Sequence, residues 1–236
     1  MNNQEMSKKL KKYLDLRHEP VAVKLVKKGE KIPEGYDETD KSITHCVSIM
    51  RARNGESLVV PAEKHACPVG ASSLGLVPLS RKVMCGDFHC NLGMYKTPEA
   101  AAKMIAQRCE LEGESMIATV VCPLENANFE PDVVIIVDLP ETIYLLVPAR
   151  TYEEGGNVNF STASFQATCA DCTATPILTG DINMSLGCYG CRRRTDIGRD
   201  ELLMGIPMNR LEPMIRALES MYGGAIRKLR ASTQKD

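Results

Sequence analysis

The chain has 236 residues, 44% hydrophobic and 25% charged, with a formal net charge of -1. That length suffices for one large domain or two small ones, and the balanced charge excludes a general attraction to nucleic acid or to an anionic membrane surface. Small molecules or other proteins, a redox partner among them, are the expected partners, and a homo-oligomer is compatible with the composition.

In chain order, Met6, Leu10, Tyr13 and Leu14 share one face at helical spacing with lysines opposite, which predicts an N-terminal amphipathic helix. The apolar run 20–26 reads as a β-strand. Residues 57–60, 116–121 and 133–137 are β-branched runs, and the last two read as buried strands. A helix is expected over 97–109, and 141–147, ahead of Pro148, reads as a short helix or another strand. Leu211, Met214, Ile215, Leu218, Met221 and Tyr222 form a stripe that predicts a helix over 209–222, opened by Asn209, closed by Gly223-Gly224 and packed by its methionines. A frayed tail is expected after Arg227. The mixture predicts an α+β (mixed α/β) fold, one large domain over 1–236.

A weak internal similarity divides the chain. Ala52-Arg53, Gly55, Cys67 and Leu92-Gly-Met-Tyr95 are followed in the same order by Ala149-Arg150, Gly155, Cys169 and Leu186-Gly-Cys-Tyr189. An ancient duplication over 20–96 and 132–195 would make two pseudo-repeated lobes with a cysteine site between them and Cys67 and Cys169 in equivalent places. Chance is the competing explanation, because gaps are needed.

The strongest chemical signal is cysteine. Cys169-Ala-Asp-Cys172 and Cys188-Tyr-Gly-Cys191 are two CxxC pairs separated by 15 residues, the form of two hooks on a four-thiolate metal site. There are ten cysteines, no apolar leader follows the lysine-rich N-terminus, and no run approaches the roughly 18 apolar residues of a membrane span. Thiols or thiolate ligands in a reducing cytoplasm are therefore expected in place of a disulfide framework.

Glu19-Pro-Val-Ala-Val-Lys24, Ala66-Cys-Pro-Val-Gly-Ala71 with Leu74-Gly-Leu76, Pro131-Asp-Val-Val134, and Ser185-Leu-Gly-Cys-Tyr-Gly190 followed by Arg192 together resemble the domain of unknown function 169 family over almost the whole chain. The resemblance implies that Cys46, Cys67, Cys169 and Cys188 occupy motif positions and that Cys172 and Cys191 are additions in this member. It implies no reaction. Two ligand sets therefore compete: the local set Cys169, Cys172, Cys188 and Cys191, and the distributed set Cys46, Cys67, Cys169 and Cys188.

Such thiolates point first to an iron-sulfur cluster, a 4Fe-4S type, serving electron transfer or small-ligand binding. A structural four-cysteine zinc site in an interaction module is the alternative, and CxxC thiol-disulfide chemistry is a third. Arg192, Arg193 and Arg194 read as a solvated run, with Arg192 the candidate for an anion site or for charge compensation of the thiolates. His45, His65 and His89 each lie within two residues of a cysteine and are candidate ligands or orienting groups, against the commoner role of satisfied core histidines. Cys85, Cys90, Cys109 and Cys122 read as small hydrophobes, with the loop 84–90 a candidate thiol lining. Asp171, Asp181 and Asp196 read as turn and capping residues. No P-loop, GxGxxG, GxSxG or HExxH motif is present, so the corresponding enzyme classes lack their usual residues. Whether the chain is an enzyme stays open at this level.

Overall fold

A computed structural model describes residues 1–163 and 167–233. The β-branched runs become the strands of one seven-stranded sheet. These are β1 (Val21–Lys27), β2 (Asp37–Glu38), β3 (Leu58–Pro61), β4 (Met116–Pro123), β5 (Val133–Asp138), β6 (Asn183–Ser185) and β7 (Leu202–Pro207), in the order β2-β3-β4-β1-β5-β7-β6. The helices are α1 (Asn3–Leu14), α2 (His45–Arg53), α3 (Pro68–Ser73), α4 (Arg81–Met84), α5 (Asp87–Asn91), α6 (Pro98–Gln107), α7 (Pro140–Arg150), α8 (Thr175–Thr179), α9 (Tyr189–Arg194), α10 (Met208–Met221) and α11 (Arg227–Thr233), with a π-helical segment over Ala167–Ala174. The fold is α+β, as the mixture of periodicities predicts. Among the described residues no helix is long and apolar enough to cross a membrane.

The sheet has a symmetry that the linear order conceals. Outward from the central antiparallel pair β1 and β5, the strands run β1-β4-β3 on one side and β5-β7-β6 on the other, every neighbouring pair antiparallel. Along the chain each side is laid down as central strand, outer strand, then the strand between them. This is a pseudo-twofold arrangement about an axis through the β1–β5 pair, where Val21 faces Ile135 and Val23 faces Val133.

Because side chains alternate across a strand, the two faces of that pair bury different layers. Ala22, Val134 and Ile136 pack with α1, α7 and α10 through Leu10, Leu146, Leu211 and Leu218 in the larger core. Val21, Val23, Val133 and Ile135 pack on the other face with Ile49 of α2, Cys172 and Cys191, and Cys46 and Cys188 lie against the same layer. One face is closed by α1, α7 and α10 and the other by the segments that carry Cys46, Cys172, Cys188 and Cys191.

Several expectations are corrected here. Thr97 caps α6 through its hydroxyl, but the helix stops at Gln107, short of Cys109. The helix α7 runs through Pro148 to Arg150 instead of stopping at it. α10 begins at Met208 behind Pro207, not at Asn209, and Gly223-Gly224 do not end it, since a π-turn over Tyr222–Ile226 leads into α11. The segment after Arg227 is therefore helical, held by the buried Ile226 and by Arg230, whose guanidinium donates to the Tyr13 carbonyl at 3.0 Å. The last three residues of that expected tail lie outside the described residues.

Gly205 of β7 shows how closely the cysteine layer is laid on the sheet. A methyl group added there would stand 2.1 Å from the Cys172 carbonyl oxygen, a backbone atom that cannot turn away. Gly205→Ala is expected to lower stability by about 3 kcal/mol, the upper end of overpacking costs, and to displace the 167–174 segment. A urea melt of the variant against wild type measures this.

Candidate functional site

Four cysteines reach one region from four separate segments, in two equivalent pairs. Cys67 and Cys188 each follow the outer strand of their half, and each is the N-cap of a short helix whose third residue donates its N–H to the cysteine sulfur. The distances are 3.4 Å from Gly70 N to Cys67 Sγ and 3.2 Å from Cys191 N to Cys188 Sγ. Cys46 and Cys169 each lie on the helical segment that precedes that outer strand, in the first turn of α2 and within the 167–174 segment. The expected equivalence of Cys67 with Cys169 is thus corrected: strand order matches Cys67 to Cys188 and Cys46 to Cys169. The misleading anchor is Leu92-Gly-Met-Tyr95, which lies among the helices α4 to α6 that the first half alone carries and so has no counterpart at Leu186-Gly-Cys-Tyr189.

The pairs are neighbours. A methyl group on Gly70 would lie 3.2 Å from Cys169 Sγ and 3.6 Å from Cys67 Sγ, so both sulfurs border the same small space. Cys169 feels the charges of Cys67 and Cys188, and Cys46 that of Cys188, so Cys188 joins the two sides. Among the described residues no three His, Cys, Asp or Glu side chains stand in an array that grips a single ion.

The two CxxC motifs present their thiols differently. Cys169 and Cys172 sit in a widened helix, where residues three apart fall well short of one turn, and their side chains diverge. Cys172 is fully buried against the sheet, its thiol directed at the Asn183 carbonyl 3.9 Å away. Cys191 is also fully buried, its sulfur accepting from the Thr168 hydroxyl at 3.7 Å, while Thr195 Oγ1 lies at 3.9 Å.

The electrostatics divide these thiols. Burial first, then the charges of Cys67 and Cys188, hold the Cys169 thiol well above its ordinary range, and burial does the same for Cys172. Donation to Cys191 raises Cys46, and the same hydrogen bond, helped by the Thr168 and Thr195 hydroxyls and by Arg192, lowers Cys191. Raised thiols bind metal only with loss of their protons, so uptake is favoured by rising pH.

Arg192 is committed to the protein's own carbonyls. Its Nε donates to Leu186 O at 2.7 Å, Nη1 to Gly198 O at 2.7 Å, and Nη2 to Glu201 O at 2.7 Å and to Leu186 O. It fastens the turn that presents Cys188 and adds positive charge beside Cys191. A Cβ at Gly187, where φ is +84°, would stand 3.0 Å from Arg192 Nε, which accounts for glycine before Cys188.

Of the three candidate histidines, His45 and His89 are buried and His65 is half-buried. His45 Nε2 pairs with Thr173 Oγ1 at 3.1 Å, and His65 Nε2 with Thr119 Oγ1 at 3.2 Å. Burial lowers them to about 3 and about 4. His45 follows the Thr44 cap of α2, so its bond to Thr173 ties the segment carrying Cys46 to the one carrying Cys169.

Two features escaped the sequence reading. Asp171, expected at a turn, is buried to 3% exposure and pushed up to about 7 by burial, against the opposing hydrogen bonds of Thr162, the Ala163 N–H and Ser185. Arg53, also 3% exposed, donates to Glu201 Oε2 at 2.8 Å and to Asp196 O at 3.1 Å, joining α2 to the turn before β7. Asp181 and Asp196 behave nearer to expectation: Asp181 receives the Ile182 N–H and pairs with Arg150, and Asp196 receives Asn54.

An α+β chain built on one seven-stranded sheet, with cysteine-bearing segments packed on one of its faces, defines the class. The model of the domain of unknown function 169 family, described as Uncharacterised ArCR, matches residues 9–217, and the chain belongs to that family. It is 34% identical over 217 residues to an uncharacterised protein of Methanocaldococcus jannaschii, a match covering 91% of this chain and 93% of that one. No solved structure matches.

Proposed function

We propose that the chain is a cytoplasmic metal-binding protein in which Cys46, Cys67, Cys169 and Cys188 hold an iron-sulfur cluster, 4Fe-4S in type, for electron transfer or small-ligand binding. The observation that carries the reading is the proximity of those four cysteines, which come from four separate segments as two equivalent pairs. The neighbouring N–H groups that meet Cys67 and Cys188 favour the thiolate form such a group requires. A 4Fe-4S group supplies a redox couple whose potential depends on hydrogen bonds to sulfur, net charge and solvent exposure. A structural zinc site is less favoured, since zinc typically holds together modules too small to fold otherwise, whereas here a seven-stranded sheet and an extensive core supply the framework.

The test is anaerobic purification followed by iron, zinc and acid-labile sulfide analysis with a visible spectrum. About four irons and four sulfides per chain, with absorption bleached by dithionite, are expected. One zinc without colour would replace this reading with a structural module, and neither metal, even after reconstitution with ferrous iron and sulfide, would leave dithiol chemistry at Cys46 and Cys191 in front.

A further inference from the structure

The segment that follows α6 closes a cavity of about 680 Å³ against α3, α4 and α6. That is the size of a small-molecule site. Its walls are largely apolar, with Val77, Leu79, Met84, Ile105 and Leu111 among them, and close backbone approaches hold them in place. A Cβ at Gly75 would stand 2.6 Å from the Glu112 carbonyl oxygen, and one at Gly86 would overlap the Pro98 carbonyl oxygen. The Leu111 N–H donates to the Ser73 carbonyl at 2.9 Å, and the Met116 N–H to that of Gly75 at 3.1 Å. The cavity is therefore set by the backbone and needs no rearrangement to form.

Arg108, directly after α6, lines this cavity and is only 8% exposed. Its Nη1 donates to the Ile105 carbonyl at 2.7 Å, and its Nη2 to Ser72 Oγ at 3.1 Å and to the Glu110 carboxylate. Among the described residues its buried Nε has no hydrogen-bond partner. A guanidinium matches a carboxylate through two parallel N–H groups, and a buried donor left unmet is costly. Glu110 leaves that match incomplete, and its side chain is 52% exposed, so water readily receives it when it is displaced. We propose that the cavity binds a small monocarboxylate with an apolar body, the carboxylate taking Nε and Nη2 of Arg108 in place of Glu110 and the body lying along Val77, Leu79 and Ile105. The exposed Glu112 also lines the cavity. A dianion such as a phosphate would meet uncompensated negative charge there, whereas a monocarboxylate exchanges one for one with Glu110. The inference does not rest on the cluster reading, because among the described residues no cysteine lines this cavity.

The experiment is isothermal titration calorimetry of the full chain at neutral pH with sodium octanoate, and with octanol as the uncharged probe of the same tail, on wild type, Glu110→Gln and Arg108→Gln. Wild type is expected to bind octanoate saturably and octanol about tenfold more weakly or worse, the worth of a charge-assisted pair. Glu110→Gln removes the competing carboxylate from an exposed position and is expected to tighten octanoate about fivefold. Arg108→Gln is expected to loosen it about tenfold or more, and if that variant does not fold, Glu110→Gln decides. Octanol bound as tightly as octanoate would overturn the inference, as would octanoate affinity unchanged or weakened in Glu110→Gln, or the absence of saturable octanoate binding from both wild type and Glu110→Gln. None of these readouts uses iron or sulfide, so failure of the cluster reading is a separate outcome.

Discussion

Serine at Cys46, Cys67, Cys169 or Cys188 is expected to reduce bound iron and sulfide to background, while Cys172→Ser keeps them. The expectation follows from where the sulfurs point. The first four lie near one another, and the sulfur of Cys172 faces the Asn183 carbonyl of β6 from a fully buried position. A serine hydroxyl can still donate to that carbonyl, so Cys172→Ser is expected to cost no more than about 1 to 2 kcal/mol of stability and to leave the metal untouched. The local set predicts the reverse, with Cys172 as damaging as Cys169 and with Cys46 and Cys67 dispensable. Iron and sulfide analysis of the five single variants therefore separates the two sets without further assumption. Gly70→Ala refines the result, because it removes no sulfur and only presses a methyl group between Cys67 and Cys169. Partial loss of iron from that variant would tie the metal to the space those two sulfurs share, and full retention would place it elsewhere.

The parts of this arrangement that were legible in the sequence are those governed by local periodicity. The runs that became β1, β4 and β5 declare themselves because β-branched side chains suit a pleated surface, and the helical stripes of α1 and α10 do so because apolar residues recur every three or four positions. The cysteines were legible as chemistry but not as geometry. A CxxC spacing specifies two nearby thiols only when the intervening residues form a turn; in the segment Ala167–Ala174 they lie in a widened helix, and Cys169 and Cys172 part company. The equivalence of Cys67 with Cys188 was hidden because the first-half run that resembles Leu186-Gly-Cys-Tyr189, Leu92-Gly-Met-Tyr95, lies among α4 to α6, which have no counterpart in the second half. The burial of Asp171 and the Arg53–Glu201 pair had no local signature, for a charged residue near a glycine or at a helix end reads as exposed until a partner 148 positions away is placed against it.

That pair is the second point of leverage, and Arg53→Met is expected to cost about 3 kcal/mol. Removing one partner of a buried ion pair strands the other charge, at about 3 to 5 kcal/mol; the lower figure applies because Arg17 Nη2 also reaches Glu201, at 2.9 Å, and the Gly198 N–H donates to it at 2.6 Å. Burial alone would raise the Glu201 carboxyl, but the Arg53 hydrogen bond, the Gly198 N–H and the charges of Arg53 and Arg17 together hold it below its usual value of 4.5. A depressed carboxyl stabilises the folded chain above its unfolded pKa and loses that contribution as the pH falls through the folded value. The gap between wild type and Arg53→Met should accordingly be full at neutral pH and narrow on acidification below about 4.5. Urea melts at several pH values measure it. In a double-mutant cycle with Glu201→Gln, the coupling energy should exceed about 1 kcal/mol; additive single effects would show that the two side chains are adjacent without being energetically joined. The consequence reaches the cysteines, because α2 carries Cys46 at one end and Arg53 at the other, and Glu201 holds Arg192 through its carbonyl, and with it the turn of Cys188. Arg53→Met should therefore lower iron retention under chelator challenge more than Arg150→Met, whose ion pair is made with Asp181 and not with a residue of α2 or the turn of Cys188.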